Sequence, residues 1–100
     1  MVVGDDGSDG GRRAVRHAAV IADRLRRELV RMRVDDGDPI EQLSTAAREQ
    51  QACLVVTGTR GRGSLRAALF GSVSLGLVQT ARRPIVLVAE TAGEPDWPVR

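Results

Sequence analysis

Two apolar periods alternate along the chain. Short β-branched runs ("VV" at the start, "CLVVTG", "PIVLVAE") are separated by longer stretches in which apolar residues recur every three or four positions. The opening "MVVGDDGSDGG" reads as a short strand running into a Gly/Asp turn, after which Ser8 or Asp9 can cap a helix. Ala14, Ala18, Ile21 and Leu25 then fall on one helical stripe, with Arg13, Arg16, Asp23 and Arg24 mostly elsewhere on the wheel. This predicts a helix from about Asp9 to about Arg27. Leu29 and Met32 could extend that stripe, but Val30, Met32 and Val34 alternate with Arg31 and Arg33 in the period of a strand. The turn residues "DDGDP" that follow favour a strand over Leu29 to Asp35.

Asp38-Pro39-Ile40-Glu41 is a helix opening, with Asp38 as cap, Pro39 in the first turn and Glu41 placed to close a capping box. Ile40, Leu43, Ala46 and Ala47 form its buried face. "ACLVVTG" is too short and β-branched for a helix and predicts a strand buried on both faces. A glycine loop follows, with a short helical turn over Leu65 to Phe70. Ser72 caps another helix that buries Val73, Leu77 and Ala81 and stops before Pro84. "PIVLVAE" is the last buried strand.

Strands alternating with helices predict an α/β fold: an open, mostly parallel sheet of about four strands with helices on both faces. Residues 1–90 form the domain, and 91–100, with Gly93, two prolines and Trp97, a mobile tail. Ligands of such sheets bind at the carboxyl ends of strands where the strand order reverses. Two polar turns emerge at that edge, Asp5-Asp6-Gly7-Ser8 and the loop after Gly58.

Composition narrows the chemistry. A length of 100 residues suits one domain, and 42% hydrophobic with 28% charged residues suits a globular one. No apolar run spans a membrane and no leader opens the chain, which predicts a cytoplasmic protein with no membrane partner. The single Cys53 is expected to be a small buried apolar residue, and His17 an exposed or half-buried helix residue. With these as the only soft ligands, a zinc site is disfavoured. A Walker-type phosphate loop needs a lysine, and every one of the 15 basic residues is arginine. A Ser-His-Asp triad would have to use His17, far from the loop in sequence.

What remains is a backbone anion site. Between Val55 and Ser74 lie four glycines and three arginines. Glycines at 58, 61 and 63 let main-chain N–H groups turn inward, while Gly71 and Ser72 stand at a helix start that favours phosphate. Ser72 and Ser74 add hydroxyl donors, and Arg60 or Arg62 can neutralise charge. The plainer alternative is that Gly58 ends a strand and Gly71 separates two helices.

The spacing Gly58-x2-Gly61-x9-Gly71-Ser72 resembles the G-x2-G-x9-G-[S/T] signature of the universal stress protein family. "VVGDDGSDGGRRAVRHA", "VDDGDPIEQLSTAA" and "RRPIVLVAE" resemble that family's first strand and helix, its Gly-Asp-Pro segment and its final strand. The resemblance runs from about Val2 to Glu90. It implies an adenine nucleotide alpha-hydrolase-like fold, truncated by one strand–helix unit, since the first helix passes directly to the strand before Gly-Asp-Pro. It implies ATP or AMP as ligand, with or without Mg²⁺. Gly58, Arg60, Gly61, Gly71, Ser72, Val73 and Ser74 would line the phosphate and ribose side, and Asp6 would face the nucleoside.

Three functions compete. The first is a nucleotide-binding stress module that is not an enzyme beyond slow ATP hydrolysis. The second is a degenerate, non-nucleotide-binding family member acting as an interaction module, a homodimer paired through the final strand Ile85–Val88, the edge through which the family commonly dimerises. The third, nucleic-acid binding through Arg60, Arg62 and Arg66, is disfavoured. The net charge is only +2, and Phe70 and Trp97 are the sole aromatics, leaving no platform for bases.

Overall fold

A computed structural model describes residues 1–34, 38–58, 72–89 and 92–96, with the backbone alone described for 72–75. The elements in chain order are β1 (Val2–Asp5), α1 (Asp9–Leu25), β2 (Val30–Arg33), α2 (Pro39–Glu49), β3 (Val55–Gly58), α3 (Ser72–Ala81) and β4 (Ile85–Val88). The expected Leu65–Phe70 turn and Trp97 lie outside the described residues.

The strands form one four-stranded sheet in the order β2-β1-β3-β4, with every pair parallel. The strand before Gly-Asp-Pro therefore lies directly beside β1, in the register Val2↔Val30 to Asp5↔Arg33. The alternation read from the sequence is borne out there: Val30 and Met32 are half-buried, while Arg31 and Arg33 are exposed.

Side chains alternate across each strand, and this splits the core into two layers. On one face Val2 and Val55 pack with Leu43, Ala46 and Ala47 of α2 and Leu77 of α3. On the other, Val3, Val56 and Val88 pack with Ala14, Ala18 and Ala22 of α1. The small residues of α1 let the helix backbone approach the sheet closely. The face toward α2 is kept close by a glycine. A β-carbon on Gly4 would lie 2.9 Å from Leu43 Cδ2, so Leu43 occupies the slot that the missing side chain leaves. One buried polar atom lacks a partner among the described residues: the Ser44 hydroxyl, on a residue 1% exposed. Its lost hydration costs about 1–3 kcal/mol.

The starts of α1 and α2 follow the expected caps, whereas Ser72, expected as a cap, is the first residue of α3. The Ser8 hydroxyl accepts from the Gly11 amide, and the Asp38 carboxylate accepts from the Ile40 amide at 2.9 Å. Helix stops are less regular. Arg26, Gln51 and Arg82, after α1, α2 and α3, all take left-handed backbone conformations with φ of 53, 49 and 54°. The Arg27 amide reaches back to the Ala22 carbonyl at 2.9 Å, which closes α1 before the predicted boundary.

Two single-residue expectations are corrected. Cys53 is exposed, because it sits in the bend before β3 and not in the strand itself. His17 is buried, at 8% exposure, because the segment 92–96 folds back over α1. The His17 ring Nε2 lies 3.0 Å from the Gly93 carbonyl oxygen, and Arg16 pairs with Glu94 at 2.5 Å beside it.

Candidate functional site

In the order β2-β1-β3-β4, the helix after β1 leads to one side and the helix after β3 to the other. The order thus reverses between β1 and β3, and the carboxyl ends at such a reversal are where ligands of open α/β sheets bind. The turn Asp5–Ser8 and the residue Gly58 meet at this point on adjacent strands. Helix α3 ends just before β4 starts, and its ten residues span about 15 Å, so its first turn returns to the same edge.

The aspartate turn is internally wired. Asp5 Oδ1 accepts from the Gly7 amide at 2.9 Å, and Asp6 Oδ1 accepts from the Ser8 amide at 3.0 Å. The Ser8 hydroxyl also donates to Asp6 Oδ1, while Ser8 Oγ accepts from the Gly11 amide at 3.1 Å. Each carboxylate is thereby fixed by the chain that follows it. Gly7 takes a φ of 83°, which lets the chain reverse within two residues. Arg12 donates to the Gly7 carbonyl at 2.9 Å and holds Asp9 in an ion pair, tying the turn to the first helical turn. From the neighbouring strand, Arg31 Nε lies 3.9 Å from Asp5 Oδ2.

The closeness of these groups depends on Gly11. A β-carbon there would lie 2.7 Å from Asp5 Oδ1, 2.8 Å from Asp6 Oδ1 and 3.1 Å from the Asp6 amide nitrogen. The sequence places Asp5 in the turn at this edge and singles out Asp6, but gives no role to Gly11 or Arg31. The visible signal for Gly11 is a glycine in a first helical turn, where its poor helix propensity calls for a packing reason.

Of the residues named from sequence, Asp6 stands in the turn after β1, Gly58 ends β3, and Ser72, Val73 and Ser74 open α3. Arg60, Gly61 and Gly71 lie outside the described residues. Cys53, just before β3, and the tail contact at His17 stand apart from this edge. Among the described residues no helix is long and apolar enough to cross a membrane.

The model of the universal stress protein family matches residues 21–89. Two curated proteins from two strains of Mycobacterium tuberculosis, each named a universal stress protein, are 42% identical to this chain over 53 residues. That alignment covers 53% of this chain and 17% of each relative, so the chain spans about a sixth of their length. Among solved structures, a universal stress protein in complex with cAMP matches with a TM-score of 0.68 at 25% identity. The match covers 88% of this chain and 94% of that one.

Proposed function

The chain belongs to the universal stress protein family, matched over residues 21–89, and from that premise we propose that it is a nucleotide-binding module of the stress response. The observation that carries the reading is the meeting of the Asp5–Ser8 turn and Gly58 at the reversal of strand order, with α3 starting at the same edge. The cAMP bound to the structural neighbour supports the same class of ligand.

The ligand in this reading is ATP or AMP. Its phosphates lie along Gly58, Arg60, Gly61, Gly71, Ser72, Val73 and Ser74, where main-chain amides and the α3 dipole favour anions. Its nucleoside lies toward Asp6. The fixed orientation of that carboxylate fits a hydrogen-bonding role, since one oxygen is already committed to Ser8. A carboxylate held in this way is poorly placed to act as a general base, so the module binds its nucleotide with at most slow hydrolysis. Mg²⁺ would accompany ATP through the phosphates.

Calorimetric titration with ATP and Mg²⁺ tests this. Wild type is expected to bind, and Gly61→Asp or Gly71→Asp to weaken binding at least about tenfold by placing a carboxylate against the phosphates. Equal weak binding by wild type and both variants would overturn the nucleotide reading.

A second reading, pairing of two copies through Ile85–Val88, is favoured by the contrast between the two sheet edges. Strand β2 carries exposed Arg31 and Arg33, which guard an edge against pairing. Strand β4 carries no charge, and Leu87 is 43% exposed. Sedimentation velocity is expected to give a dimer for wild type and a monomer for Leu87→Arg. A monomeric wild type rules the pairing out.

A further inference from the structure

We infer that the groove between β2 and the outer flank of α2 is a second binding site, and that its occupant is a linear aliphatic polyamine lying along α2. The inference is independent of the nucleotide reading, since no residue lining the groove belongs to the Asp5–Ser8 turn, β3 or α3.

The cavity and its charge carry it together. Helix α2 packs over β1 and against α3, which leaves one of its flanks turned toward the edge strand. That flank and the α2-side face of β2 enclose a groove of about 440 Å³, within the size of small-molecule sites, about 300–1,000 Å³. Met32 from the strand and Thr45 and Ala46 from the helix line its middle. Every ionic group on its wall is a carboxylate, from Asp38, Glu41 and Glu49. The chain as a whole carries 15 arginines and a net charge of +2, so a wall without a guanidinium runs against its general balance. Arg48 donates to the Thr45 hydroxyl at 3.3 Å but stands outside the lining. Glu41 and Glu49 form no ion pair or hydrogen bond among the described residues.

The spread of the carboxylates sets the shape of the occupant. Strand β2 ends at the carboxyl edge, and α2 returns to the amino edge to feed β3. Asp38 and Glu41 therefore stand at one end of the groove and Glu49 at the other. Along the helix, Glu41 and Glu49 are separated by an axial rise of about 12 Å. No three acidic, histidine or cysteine side chains among the described residues are gathered closely enough to hold a metal ion. A compact cation thus meets only one end of the groove at a time. A methylene chain with an ammonium at each end meets both, and buries its middle against Met32 and Ala46. The negative end of the α2 dipole, beside Glu49, favours one of those ammonium groups further.

The test titrates the full chain, without nucleotide and at low salt, with spermidine, 1,8-diaminooctane, octylamine and Mg²⁺. The diamine has the length of spermidine without its central amine, and octylamine lacks one terminal ammonium. Wild type is expected to bind spermidine and the diamine, the latter about fivefold tighter than octylamine, the upper value of an exposed charge pair. That ratio is expected to fall to about one in Glu49→Gln and to stay unchanged in Glu28→Gln, an exposed carboxylate outside the groove. Mg²⁺ at equal concentration is expected not to displace the diamine. Equal wild-type affinity for diamine and octylamine overturns the proposal, and leaves a groove for a single basic side chain of a partner. Displacement by Mg²⁺, an unchanged ratio in Glu49→Gln, an equal fall in Glu28→Gln, or no binding of any amine overturns it as well. Each of these results leaves the nucleotide reading standing, because ATP is titrated separately. Both substitutions replace exposed carboxylates by amides of the same shape, so the fold is retained.

Discussion

Leu43→Ala is expected to remove about 3 kcal/mol of folding stability, toward the middle of the range for a buried leucine. Leu43 is 2% exposed and packs with Val2, Val34 and Val55 in the layer beneath α2. Its Cδ2 fills the space above Gly4, a residue with no side chain to move into a vacated volume. The cavity therefore stays open instead of collapsing, and the cost has two parts, lost transfer of the deleted atoms and lost contacts around the void. For a domain near this size each kcal/mol shifts the melting temperature by roughly 4–8 °C, so the melt should fall by roughly 12–24 °C. Leu25→Ala is the internal control. Leu25 ends α1 at 50% exposure, and its truncation should change stability by no more than about 0.5 kcal/mol. Thermal melts followed by circular dichroism measure both, and a Leu43→Ala melt within a few degrees of the control would refute the slot above Gly4.

The same slot shows what the sequence discloses and what it leaves hidden. The periods of apolar residues located all four strands, and the burial expected of "CLVVTG" holds over Val55–Gly58, in the middle of the sheet, but not at exposed Cys53 before the strand. That Gly4 and Leu43 are complementary could not be read, since it depends on α2 crossing β1, a contact between residues nearly forty positions apart. The helix ends illustrate a different limit. Stop signals are sought as glycines, yet Arg26, Gln51 and Arg82 adopt the left-handed conformation without one, and after α1 and α2 backbone amides reach back into the last turn. The end of α1 was accordingly expected near Arg27 and lies at Leu25. His17 looked like a surface residue because its cover, the carbonyl of Gly93, is supplied from the far end of the chain. At the candidate site Gly58 was singled out by the glycine spacing, while Asp6 was named only through the family resemblance. Arg33 was readable only as one half of a strand alternation, and its level beside Asp5 follows from the pairing of β2 with β1.

That pairing brings a basic strand next to an acidic turn, and the turn survives only while its carboxylates stay where the backbone amides hold them. Gly11→Ala is the direct probe of this arrangement, and its sign is diagnostic. In an exposed helical turn, alanine in place of glycine gains about 1 kcal/mol of propensity. Here the new β-carbon would stand 2.7 Å from Asp5 Oδ1, 2.8 Å from Asp6 Oδ1 and 3.1 Å from the Asp6 amide nitrogen. The carboxylates cannot yield without giving up the Gly7 and Ser8 amides, and the Asp6 nitrogen is main chain. Losing these bonds and the Ser8 cap outweighs the propensity gain, for a net destabilisation of about 2 kcal/mol. Binding separates this local rearrangement from general loosening of the fold. Titrated well below its melting temperature, Gly11→Ala should bind AMP about tenfold more weakly than wild type. Inorganic triphosphate, which the proposed function places on the side of β3 and α3, should bind within about twofold of wild type. A structural weakening alone would depress both ligands together. A variant that melts at or above wild type with AMP affinity intact would mean that the aspartate turn neither needs Gly11 nor faces the nucleoside.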